Sequence, residues 1–147
     1  MTTTPKNFRL SDRNVRWINR YGVDVNASAQ IREDIEALEG LVHLGHIEVA
    51  DIGLDPDSAA LIVDAFVSHA FSSVDFRSQC SCIIYQVEDA IKLEHLDQKW
   101  AVDKAVLISK LGELSSLGAV AIIHMVRLYL AKNAGGQSMS IAEIFPI

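Results

Sequence analysis

The stretch that decides the fold is residues 7–20, NFRLSDRNVRWINR. Its first five residues alternate, Phe8 and Leu10 on one face and Asn7, Arg9 and Ser11 on the other, which is the period-two signature of a short strand. Ser11 then stands where an N-cap belongs, and Asp12 falls in the first turn, where the helix dipole favours an acid. Over 12–21 the period changes to 3.6. Val15, Trp17, Ile18 and Tyr21 share one arc of the helix, and Arg13, Arg16 and Arg20 share another. Gly22 is expected to end it. A strand therefore leads into an amphipathic helix whose polar face is cationic.

Working outward, the connector VDVN leads into ASAQIREDIEALEGLVHLG, in which Ile31, Ile35, Leu38 and Val42 recur at helical spacing and Gly45 lies beyond the expected end. The following segment, HIEVADIGLDPD, breaks the periodicity, and Asp55-Pro56 is a helix start. Four further helices are expected over about 56–71, 75–96, 102–114 and 116–133. The last is apolar around most of its circumference and reads as the central buried helix, with His124 inside the core. Gly135-Gly136 ends it, and the tail SIAEIFPI is apolar enough to dock as a short helix or strand. The expected fold is mainly α: a short strand and two helices, residues 1–45, followed by a bundle of about four helices, residues 55–147.

Charge is distributed in the same two-part way. The chain of 147 residues has a formal net charge of -6, yet five of its thirteen Lys and Arg residues lie in the first twenty positions. Residues 1–22 sum to +4 and residues 23–147 to -10, which points to a polyanion-facing end on an acidic body.

Strand, helix, connector and helix in this order resemble the ribbon-helix-helix family of DNA-binding proteins (the MetJ/Arc/CopG class). NFRLS matches the strand, DRNVRWINRYG the first helix, and NASAQIREDIEAL the second, with S-A-Q-I-R-E similar to that family's Ser-x-x-Ile-Arg opening. The resemblance covers about 44 of the 147 residues. It implies a homodimeric transcriptional regulator, a repressor or antitoxin of the kind found on plasmids and phages, in which the acidic helical domain adds dimer contacts or holds a protein partner.

The physics supports such a reading independently. Two copies of one strand, paired antiparallel, make a ribbon that fits the major groove of double-stranded DNA. Phe8 and Leu10 suit the ribbon's inner face. Asn7, Arg9 and Ser11 suit the outer one, Arg9 for guanine and Asn7 for adenine. Arg13 and Arg16 are candidates for backbone contact, as is the start of the second helix at Ser28 and Ala29, where free N–H groups and the Ser28 hydroxyl, with Asn26 nearby, can grip a phosphate. The plainer alternatives are a solvated arginine face, and an edge strand or extended arm packed on the protein's own helices. A different class of function is also open: a small acidic all-helical inhibitor or adaptor that binds a basic protein surface.

Catalytic signals are poor. There is no G-x-S-x-G, phosphate-binding glycine loop or paired His-Glu metalloprotease motif, and no enzyme or cofactor is expected. His43 and His46 lack a third ligand, and Cys80 and Cys82 diverge on a helix and read as buried thiols, so no metal is expected. Glu88, Asp89, Glu94 and Asp97 read as solvated acids. The N-terminus lacks the apolar run of a secretory signal, and the apolar stretch at 119–130 is short and interrupted by His124 and Arg127; a cytoplasmic protein with no membrane segment is expected.

Overall fold

The computed structural model describes residues 9–20, 26–68 and 83–147. Among them the protein is mainly α, with seven helices and no strand. The helices are α1 (Asp12–Asn19), α2 (Ala27–Asp51), α3 (Pro56–Ser68), α4 (Ile83–Glu94), α5 (Leu96–Lys99), α6 (Lys104–Gly112) and α7 (Ser116–Ala134), followed by a 3-10 turn at Ile141–Glu143. The chain divides into two compact units, Met1–Glu39 and Gly40–Ile147, so α2 contributes its first half to one and its second half to the other.

α2 is longer than the sequence spacing predicts. It runs through Gly45 to Asp51 and stops at Gly53, whose φ of +63° is the left-handed conformation that glycine adopts without strain. Gly45 is not a terminator but a point of close approach. A Cβ there would run into the Leu117 carbonyl oxygen of α7 and lie 2.8 Å from Ala121 Cβ. Four residues on, Val49 is fully buried, so the apolar stripe continues through the segment whose pattern looked broken.

The larger unit is organised around α3 rather than α7. Its sequence is apolar on nearly every side, and Ala59, Ala60, Leu61, Ile62, Val63, Ala65 and Phe66 are all buried. It packs against α4, α5, α7 and the 3-10 turn. Asp55 caps it by accepting the Ser58 N–H at 2.7 Å, which holds that carboxyl below the usual carboxylate range. The half-buried Asp64 accepts hydrogen bonds from Lys99 Nζ at 2.6 Å and Trp100 Nε1 at 2.9 Å. Those bonds tether α5, a single turn bracketed by His95 (φ 53°) and Ala101 (φ 52°), two non-glycine residues in the left-handed region.

α7 buries Ala119, Ala121, Ile122, Ile123, Met125 and Val126, but it has an outer side. His124, expected in the core, is exposed there with Arg127 and Leu128. The helix is seated at its start by Glu48 of α2, which accepts the Ser115 N–H at 3.0 Å and the Ser115 hydroxyl at 2.5 Å. These bonds hold the Glu48 carboxyl below its ordinary range. Asp103 caps α6 in the ordinary way, through the N–H groups of Ala105 and Val106. The C-terminal tail docks as its composition suggests, with Ile144 and Phe145 buried. Cys80 and Cys82, His69 and the expected helix start near 75 lie outside the described residues, as do Asn7, Phe8, Tyr21 and Gly22.

Candidate nucleic-acid interface

In the smaller unit α1 begins where the sequence places it. Ser11 is the N-cap: its hydroxyl oxygen accepts the Asn14 N–H at 3.3 Å while Asn14 Oδ1 accepts from the Ser11 N–H at 3.1 Å and the Ser11 hydroxyl at 2.6 Å. This reciprocal box commits the Ser11 side chain. To read a base, Ser11 would have to release the cap, whose loss costs roughly 0.5–2 kcal/mol. Arg9 and Leu10 are described, exposed and outside any strand pairing. The proposed ribbon needs a second copy of the segment, and Asn7 and Phe8 lie outside the described residues.

Two grooves flank α1. The apolar one, ≈ 240 Å³, is lined by Leu10, Asn14, Trp17 and Ile18 on one wall and Ile31, Asp34, Ile35 and Leu38 of α2 on the other. The polar one, ≈ 510 Å³, is lined by Arg13, Asn14, Arg16, Trp17 and Arg20. The structure thus brings Arg13, Arg16 and Arg20 together on one face, all exposed. Val15, expected beside Trp17 and Ile18, lines neither groove and is 42% exposed.

Trp17 belongs to both grooves. Its indole N–H donates to Asp34 Oδ2 at 3.1 Å, the other carboxylate oxygen accepts from Gln30 Nε2 at 3.0 Å, and the Arg20 guanidinium lies 4.6 Å over the indole ring. From the sequence Asp34, like Glu33 in the first two turns of the second helix, reads as an acid that suits the helix dipole but would cost affinity near a phosphate. The signal that could have found it is its position on the wheel, next to Leu38 at the edge of the apolar arc of Ile31, Ile35 and Leu38, where an acid needs donors.

At the start of α2, Asn26 Oδ1 accepts the Ala29 N–H at 3.1 Å, so this donor serves the helix cap. Ser28 is exposed in the first turn, where helix geometry leaves N–H groups without intrahelical acceptors. Ser28 and Ala29 are not among the groove-lining residues that flank α1.

No known family, characterised protein or solved structure matches the chain.

Elsewhere, His46 on α2 is half-buried with its Nε2 lacking a hydrogen-bond partner among the described residues, and its ring lies 6.3 Å from that of His124. Burial, then the neighbouring His124 and His43, hold its imidazole below the ordinary value. Among the described residues no three His, Cys, Asp or Glu side chains come together to hold a metal. Glu94 and Asp89 are exposed, while Glu88 and Asp97 are partly covered. No single described helix is long and apolar enough to cross a membrane.

Proposed function

We propose that the protein is a sequence-specific DNA-binding regulator, a repressor or antitoxin, that works as a homodimer through its N-terminal unit. One observation carries this reading. No residue of α1 is buried, and in α2 the buried residues begin only at Gly45, so among the described residues this arginine-faced helix pair closes no core of its own. A second copy that pairs the 7–11 segment into a ribbon and covers the Leu10–Trp17–Leu38 groove supplies the missing half. The arginine face then remains free for the phosphate backbone.

In this arrangement Arg9 and Asn7 project from the ribbon into the major groove as base readers. Arg13 and Arg16 contact phosphates, Ser28 and the first turn of α2 grip another, and Ser11 keeps its capping role. The acidic helical unit adds dimer contacts or holds a protein partner.

Selection of duplexes from a random pool at moderate salt, with light scattering on the same sample, tests the proposal. Expected are a dimer and enrichment of a palindromic or tandem half-site. Arg9→Ala relaxes preference at one position by about 1–3 kcal/mol. A monomer that enriches no sequence refutes it. That result would favour an acidic interaction protein, for which the half-exposed Leu41, Leu44 and Ile47 on α2 are the supporting feature.

A further inference from the structure

Building on the DNA-binding reading, we infer that Asp34 is the positioning residue of the arginine face, acting through Trp17. It divides the arginines into two groups: Arg13 and Arg16 are available to phosphates, whereas Arg20 is committed to the indole.

Asp34 stands at the edge of the apolar arc of α2, lining the groove with Leu10, Ile18, Ile35 and Leu38. A carboxylate placed against apolar side chains is unfavourable unless its oxygens are used, and both are, by Trp17 and Gln30. The Gln30 bond, one helical turn away on α2 itself, orients the carboxylate. The Trp17 bond then fixes the edge of an indole that is half exposed. With the ring plane fixed, its face presents a platform to Arg20 at 4.6 Å. Arg20 gains cation–π contact there and loses reach toward a polyanion.

Among the described residues Arg13 and Arg16 have no such tie. Both line the polar groove, both are exposed, and no ion pair among the described residues involves either. The line from Gln30 through Asp34 and Trp17 to Arg20 therefore sets where the groove's wall stands, and the two untied arginines project from it.

The test uses the full chain and two readouts. The first is the Trp17 indole N–H resonance in free protein, assigned against Trp100→Phe. The second is the salt dependence of binding to a mixed-sequence 30-base-pair duplex. Asp34→Ala should move the Trp17 resonance, speed its exchange with solvent and weaken binding about 3–10-fold, the scale of one net hydrogen bond. Asp34→Asn keeps an acceptor and should hold both readouts near wild type, a rescue that mere loss of fold would not show. Arg13→Ala and Arg16→Ala should each lower the salt slope by about one, and Arg20→Ala should leave it unchanged.

An Arg20→Ala slope that falls as far as that of Arg16→Ala overturns the division of the arginines. A Trp17 resonance unmoved by Asp34→Ala overturns the positioning role. Failure of the wild-type chain to bind any duplex overturns the DNA reading together with the division, whereas the indole readout still decides whether Asp34 holds Trp17.

Discussion

Gly40 and Gly45 lie on the same helix five residues apart, and the same substitution should have opposite effects at the two sites. At Gly45 an added methyl collides with the Leu117 carbonyl oxygen, approaches the Leu117 carbonyl carbon to 2.9 Å and Ala121 Cβ to 2.8 Å. Two of those three atoms are backbone, so no change of rotamer relieves the clash and α2 must lift from α7. At Gly40 nothing stands within 4 Å of the new methyl. Alanine is the better helix former by about 1 kcal/mol at both positions, whereas overpacking of this kind costs about 1–3 kcal/mol. Gly40→Ala should therefore gain up to about 1 kcal/mol, and Gly45→Ala should lose up to about 2 kcal/mol once the same propensity gain is counted. Their difference, about 1–3 kcal/mol, isolates the steric term because propensity cancels. Urea unfolding followed by Trp100 fluorescence, in a Trp17→Phe background so that only the larger unit reports, measures both. If Gly45→Ala is as stable as Gly40→Ala, the close approach of α2 to α7 is not what excludes a side chain at Gly45.

Two further outcomes concern the larger unit. Because the folded protein holds the His46 imidazole below its ordinary 6.5, the unfolded chain binds the proton more readily, and stability present above that pH is lost as pH falls through the folded value. The urea midpoint should drop between about pH 7 and 5.5, less steeply in His46→Gln and to an intermediate extent in His124→Gln; an unchanged slope in His46→Gln would falsify the assignment. Asp64→Ala removes the acceptor shared by Trp100 Nε1 and Lys99 Nζ and should cost about 1–3 kcal/mol in urea unfolding. A loss under about 0.5 kcal/mol would show that α5 is held by packing alone.

Local signals were legible wherever one helix decides its own fate. Ser11 capping α1, the Asp55-Pro56 start of α3, the tail that buries Phe145, and α7 itself all follow from spacing, caps and breakers. What the sequence hid depends on a second element. Gly45 reads as a stop because glycine usually is one, and only Leu117 across the interface shows that its missing side chain is the point. His124 reads as buried because its neighbours in sequence are apolar, but a helix with a core on one side still has an outside. α3 looked ordinary beside α7, yet burial follows from the number of elements packed around a helix, and that number is a property of topology. In the candidate site the arginine face was visible as a periodicity. The Asp34–Trp17 bond, which joins residues seventeen apart, was not.

The partition between the two units bears on how a dimer would be held. Leu10, Trp17, Ile35 and Leu38 are between 38% and 56% exposed, so roughly half of each side chain's burial is unrealised. Full burial of such a side chain is worth about 1.5–3 kcal/mol, which leaves about 1 kcal/mol for each residue and about 8 kcal/mol for a pair of copies. Association alone costs an estimated 4–15 kcal/mol. The groove by itself is therefore too weak to hold two copies firmly together, and the proposed dimer depends on what the paired strands and the larger unit add. On this reading the alternation of Phe8 and Leu10 with Asn7 and Arg9 has two inseparable consequences. The same pairing that presents Arg9 to the base edges also contributes association energy that the helices lack, so disrupting the 7–11 segment should abolish base reading and weaken the dimer together, and base reading that survives the disruption would count against a ribbon.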